Sequence, residues 1–150
     1  MFCLDNIFLD EKLSTRKEIF EFMQDKLAAK GFVYDTYAEA LEERERDNPT
    51  GLPTVPFGIA IPHTDTRFVK KPCIIMIRLK TGVQFEQMGN PGNPVDARFV
   101  FGLCFTDGRR QVELLAGIIE MTQNLNDMNL LEQTQDRNKI MEVVEKYLKE

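Results

Sequence analysis

The chain has 150 residues, 43% of them hydrophobic and 29% charged, with a net charge of −5. That suffices for one folded domain with its own core, and it argues against a general nucleic-acid binder, which needs a basic face. The longest apolar run, Cys73-Ile74-Ile75-Met76-Ile77, stops at Arg78, and Met1-Phe2-Cys3-Leu4-Asp5 lacks the regions of a signal peptide, so a cytoplasmic location is expected. No repeat or long linker divides residues 1–150, which are read as a single domain. Cys3, Cys73 and Cys104 are far apart and lie in apolar contexts, so they are read as buried thiols and not as metal ligands or redox pairs.

In chain order, Thr15 and Glu18 form a capping box. Ile19, Phe20, Met23 and Leu27 then share one helical face before Gly31 supplies the stop. A second box, Thr36 to Glu39, predicts a helix that frays into the charged run 42–47 and ends at Asn48-Pro49. Residues 48–58 carry Pro49, Gly51, Pro53, Pro56 and Gly58 and read as a loop. Ile59-Ala60-Ile61 is a short strand stopped by Pro62.

Residues 73–79 and 97–105 are nearly continuous apolar runs, as in strands covered on both faces. The turn formers from Gln84 to Pro94 predict an exposed loop between them. Asp107 caps a helix in which Val112, Leu115, Ile118, Ile119, Thr122 and Leu125 recur at three-and-four spacing. Ile140, Val143, Val144, Tyr147 and Leu148 mark a last helix. Strands interspersed with helices in this order predict a single-domain α/β sandwich, a mixed β-sheet flanked by helices on both faces.

Chemistry that needs an imidazole has one candidate, His63, the only histidine in the chain. It follows a strand that ends at Pro62 and precedes Thr64-Asp65-Thr66, so the sheet presents it at an edge beside polar groups. A lone histidine is often only a packing or surface residue, and composition does not choose between the two readings.

The string Phe57-Gly58-Ile59-Ala60-Ile61-Pro62-His63 resembles the phosphohistidine signature of the fructose/mannitol-type IIA domains of the bacterial sugar phosphotransferase system. Upstream, Arg44-Glu45 and then Thr50-Gly51 match that family's pattern. Downstream, Gln111-Val112-Glu113-Leu114-Leu115 falls where mannitol-type members carry a second histidine. Pro62-His63-Thr64, Phe85, Met88-Gly89, Val95, Phe101-Gly102-Leu103 and Gln111 are most similar to galactitol-type members.

The resemblance implies a phosphotransferase component that accepts a phosphoryl group from HPr on His63 and passes it to a cysteine of a separate IIB protein. A membrane IIC permease would act further downstream, for galactitol or a related polyol. It also implies that the attacking nitrogen is the one remote from the backbone, with the near nitrogen held by a carbonyl. The alternative is a regulatory module, like the nitrogen-related branch, that keeps the histidine without feeding a permease.

A transferring phosphoryl group needs positive electrostatics more than acid/base machinery. Arg44 is the candidate fork for its oxygens, against a reading as one more solvated helix-end charge. Thr50 is a candidate hydroxyl donor to the phosphoryl group or an ordinary turn residue. Gln111 is a candidate amide donor near a helix N-terminus or a plain first-turn polar residue. Arg46, Arg67, Lys70 and Lys71 are read as solvated charges. The absence of a metal-ligand cluster or a Gly-rich nucleotide loop predicts no metal and no cofactor.

Overall fold

A computed structural model describes residues 2–148 as a single α/β domain. Five strands are β1 (Ile7–Glu11), β2 (Gly51–Leu52), β3 (Gly58–Ala60), β4 (Cys73–Gln87) and β5 (Asn90–Cys104). Five helices are α1 (Arg16–Ala29), α2 (Tyr37–Asp47), α3 (Gly108–Thr122), α4 (Leu125–Gln133) and α5 (Arg137–Leu148). Among the described residues no helix is long and apolar enough to cross a membrane.

The long antiparallel pair β4–β5 is the spine. β1 lies parallel to β4 on one side and β3 parallel to β5 on the other, while β2 pairs antiparallel with β3 and touches β4 at Gly51↔Gln87. Successive β4 side chains alternate between two cores, as a pleated strand requires. Ile74 and Met76 face α3, α4 and α5, whereas Cys73, Ile75 and Ile77 face α1 and α2. The sheet is thus mixed and covered by helices on both faces, as the sequence predicts.

Helix α1 begins as expected, with Thr15 Oγ1 accepting from the Glu18 amide at 3.1 Å, and Gly31 takes a left-handed φ of 77° beyond its end. Several details differ from the sequence reading, among them the short strand β2 inside residues 48–58, which were read as a loop. Thr36 is not extended and makes no side-chain cap; Gln24 of α1 accepts the Ala38 amide at 2.7 Å instead. The charged run does not fray, because α2 continues to Asp47 with Glu45 on the same buried stripe as Tyr37 and Leu41. Residues 84–94 are not a loop but the far end of the β4–β5 hairpin, since buried Phe85 and Val95 pair across it and the turn occupies only Met88-Gly89.

A further difference is the helix after Asp107, which stops at Thr122. Asn124 then caps α4 by accepting the Asp127 amide at 3.0 Å. The buried face of α3 is Leu114, Gly117, Ile118 and Met121, which leaves Val112 and Ile119 exposed. Strand β1 has no counterpart in the sequence reading. Cys73 and Cys104 are buried opposite each other in the β4–β5 ladder, but Cys3 is exposed, which corrects the expectation of three buried thiols.

Candidate functional site

The β3–β5 register carries past the end of β3. Ala60 pairs with Val100 and, three residues on, His63 bridges Leu103 in the same parallel sense, with the Leu103 amide donating to the Pro62 carbonyl at 3.2 Å. Pro62 has no N–H to extend the ladder, so the chain leaves the sheet at the histidine. The imidazole stands edge-on to Phe105, ring centroids 6.3 Å apart, where β5 runs out toward Asp107 and α3.

His63 is only 7% exposed, and its Nδ1 lies 2.8 Å from the Ile61 carbonyl oxygen. A carbonyl can only accept, so Nδ1 carries the proton and the lone pair of the neutral ring resides on Nε2. Burial pushes the pKa of the ring below its ordinary value. The Ile61 carbonyl opposes that shift, and the nearby charge of Arg44 adds to it. Near neutral pH the ring is therefore an uncharged nucleophile with a fixed tautomer.

Arg44, in the last turn of α2, brings its guanidinium into the electrostatic field of His63. Its Nη1 pairs with Asp65 Oδ1 at 3.3 Å, and Asp65 also meets Arg67 at 3.8 Å. The Nε of Arg44 is shut off from water and has no hydrogen-bond partner. A cleft of about 240 Å³ opens here between Arg44, Asn48, Thr64, Asp65 and Arg67. A larger concavity of about 460 Å³, lined by Pro53, Pro56, Gly82, Asp96 and Arg98 among others, holds none of these residues.

Thr50 is buried beside the same helix end, but its hydroxyl donates to Glu45 Oε1 at 2.8 Å and its amide to Glu45 Oε2 at 2.7 Å. The hydroxyl proton is thus held by the protein itself, unlike the free donor that the sequence reading allowed for. Burial pushes the Glu45 carboxyl up, and the two Thr50 bonds partly offset the shift. Gln111 sits partly exposed in the first turn of α3, beyond Phe105, and the structure records no hydrogen bond from it to His63. Arg46 is exposed on α2, as expected of a solvated charge.

His63 and Arg44 are therefore brought together, Thr50 is tied to the Glu45 carboxylate, and Gln111 lies in the first turn of α3 with no hydrogen bond to His63. Sequence reasoning gave Glu45 and Asp65 no role, although it placed Glu45 in the Arg44-Glu45 match and Asp65 among the polar groups beside His63. Glu45 was hidden because a carboxylate in a Glu/Arg run looks solvated. Besides the Arg44-Glu45 match, the available signal was its position four and eight residues after Leu41 and Tyr37.

The family model described as "Phosphoenolpyruvate-dependent sugar phosphotransferase system, EIIA 2" matches residues 1–147. The galactitol-specific EIIA component of Escherichia coli strain K12 is 32% identical over 114 residues, covering 75% of each chain. The structure is similar to that of a chain in the complex of enzyme IIA Mtl and phosphorylated enzyme IIB Mtl from Escherichia coli. The TM-score there is 0.76 at 24% identity, covering 97% of this chain and 99% of that one. It is also similar to the nitrogen regulatory protein IIA-Ntr of Neisseria meningitidis, with a TM-score of 0.79 at 20% identity over 95% of each chain. An edge-presented histidine in this fold and the match along nearly the whole chain lead to one conclusion: the chain belongs to the EIIA 2 family of the phosphoenolpyruvate-dependent sugar phosphotransferase system.

Proposed function

We propose that this protein is a cytoplasmic phosphocarrier that takes a phosphoryl group from HPr onto Nε2 of His63 and hands it to the cysteine of a separate IIB protein, which in turn serves a membrane IIC permease. The observation that carries the reading is the 2.8 Å contact between His63 Nδ1 and the Ile61 carbonyl, which leaves the Nε2 lone pair free. In uptake, that lone pair forms the new N–P bond while the bond from phosphorus to the donor imidazole breaks and returns its electron pair to the donor. No proton has to leave His63. Positive charge that builds on the ring is stabilised where Nδ1–H meets the carbonyl. In delivery, a thiolate attacks phosphorus and the N–P electrons return to Nε2.

Arg44 is assigned to the phosphoryl oxygens. Its unpartnered Nε and its single long bond to Asp65 leave donor capacity that a dianion would fill. Gln111 is assigned a positional role at the N-terminal end of α3, where an amide N–H and the helix terminus both favour an anion. Thr50 is assigned to holding the site together and not to the phosphoryl group, on the strength of its two bonds to Glu45. The 32% identity to a galactitol-specific component supports galactitol or a related polyol as the transported sugar. The regulatory fold relative, at 20% identity, bears on the fold alone.

The test is incubation with enzyme I, HPr and labelled phosphoenolpyruvate, followed by candidate IIB proteins. The wild type is expected to take up one acid-labile phosphate and His63→Ala none, with a galactitol-type IIB accepting faster than fructose- or mannitol-type ones. Label that persists in His63→Ala would overturn the carrier assignment.

A further inference from the structure

Glu45 is an unusual residue to find in a core. It is 3% exposed, and burial holds its carboxyl in the un-ionised direction, an effect that the Thr50 hydrogen bonds and the charge of Arg16 only partly offset. Leaving a carboxylate there is costly unless it does something an apolar side chain cannot. What it touches is Thr50, through both carboxylate oxygens. Thr50 in turn uses its carbonyl to accept the Ile61 amide at 3.2 Å, and the Ile61 carbonyl holds His63 Nδ1 at 2.8 Å. A continuous line of hydrogen bonds thus runs from helix α2 through Thr50 and Ile61 to the imidazole.

The neighbour of Glu45 on the same helix turn is Arg44, which faces Asp65 and the histidine. Adjacent helical residues point about 100° apart, so one turn of α2 sends a guanidinium to the site and a carboxylate to the backbone behind it. Strand β2 joins the segment just after Thr50 to β3 through the Gly51↔Ala60 pair, and the Glu45–Thr50 bonds carry that register back to α2. We infer that Glu45 is a positioning residue: by gripping Thr50 it locks the strand that carries His63 to the helix that carries Arg44, and so fixes the imidazole tautomer and the spacing of the two groups. This rests on the reading of His63 as the phosphoryl acceptor. Glu45 itself meets neither the phosphoryl group nor the ring.

The chain has one histidine, so protein labelled with ¹⁵N-histidine gives a single pair of ring nitrogen signals that report the tautomer without any phosphoryl donor. Wild type is expected to show the proton on Nδ1. Glu45→Ala is expected to move it toward Nε2 and to slow phosphoryl uptake about tenfold, since small misplacements of reacting groups cost that much or more. Glu45→Gln is expected to restore most of both, because an amide can still accept from the Thr50 N–H and donate to its hydroxyl oxygen. A folded Glu45→Ala protein with the wild-type tautomer and wild-type uptake would overturn the inference. Should Glu45→Ala fail to fold, Thr50→Val carries the test. A partial tautomer shift with slower uptake supports the link, and no change in either refutes it. Because the tautomer needs no partner protein, a failure of this link is distinguishable from a failure of the carrier reading.

Discussion

Two arginines in this molecule are held in opposite ways. Arg78, in the middle of β4, is 1% exposed and fully engaged: Nε and Nη2 fork onto Asp10 at 2.9 and 3.1 Å, and Nη1 reaches the Leu131 and Thr134 carbonyls at 3.1 and 2.6 Å. Arg44 has one bond at 3.3 Å to a half-exposed aspartate and a buried Nε with nothing to donate to. The first is a clamp that ties the sheet to the end of α4. The second keeps unspent hydrogen-bonding capacity beside His63, and that difference in satisfaction separates a cation used up by the fold from the one proposed to meet a phosphoryl group better than exposure does.

The largest effect should come from breaking the clamp. Arg78→Met leaves two carbonyls without this donor and Asp10 with only the Gln135 amide, which should cost about 3 kcal/mol and lower the melting temperature of a chain this size by roughly 6 to 12 °C. Calorimetry would check it, and uptake by protein that remains folded should stay near wild type. A melting temperature within a degree or two of wild type would remove the distinction.

Arg44→Ala should do the reverse. Loss of one stabilised phosphoryl contact should slow transfer by a factor equivalent to about 2–4 kcal/mol, while an ion pair this exposed contributes well under about 1 kcal/mol to folding. Transfer kinetics beside a denaturant titration would separate the two. Slow transfer matched by an equal loss of stability would make Arg44 a second clamp.

The smallest effect concerns pH. His63 has its pKa lowered from 6.5, mainly by burial. The unfolded chain therefore binds a proton that the folded one refuses in the window just below that value, so the stability linked to this group is full above about pH 6.5 and is lost as pH falls through the folded pKa. His63→Gln lacks this linkage, so urea midpoints of wild type should fall faster than those of the variant below pH 6.5. Parallel curves would show the ring to be as free in the folded state as in the unfolded one.

Much of this was legible in the sequence where local chemistry and tertiary packing agree. The Thr15 cap, the apolar strand from Cys73, which runs on to Gln87, and the short strand before Pro62, which is Gly58–Ala60, formed close to the reading. The errors lie where a distant partner overrides local preference. Gln24 replaced Thr36 as a cap, and the pairing of Phe85 with Val95 turned a glycine- and proline-rich stretch into a hairpin. At the site, His63 and Arg44 could be read because their residue types are rare or match a signature. Glu45 was noted only as part of the Arg44-Glu45 match, and its inward turn is signalled only by its spacing from Tyr37 and Leu41. Asp65 escaped because its role depends on where Arg44 ends up.

The segment between α2 and β3 consists of two parts with different freedom to change length. Leu52 and Ile59 are paired neighbours in the sheet, so the chain between them leaves and returns at nearly the same place. Added residues there would raise the closure cost only slowly, by about 0.6 kcal/mol for each doubling of the loop. The five-residue step from Glu45 to Thr50 has no such latitude, because both ends are fixed by the carboxylate bonds and by the Ile61 amide. Insertions and deletions among relatives should therefore gather between positions 53 and 57 and avoid positions 46 to 49, a length constraint that alignment of many such chains would expose without any assay.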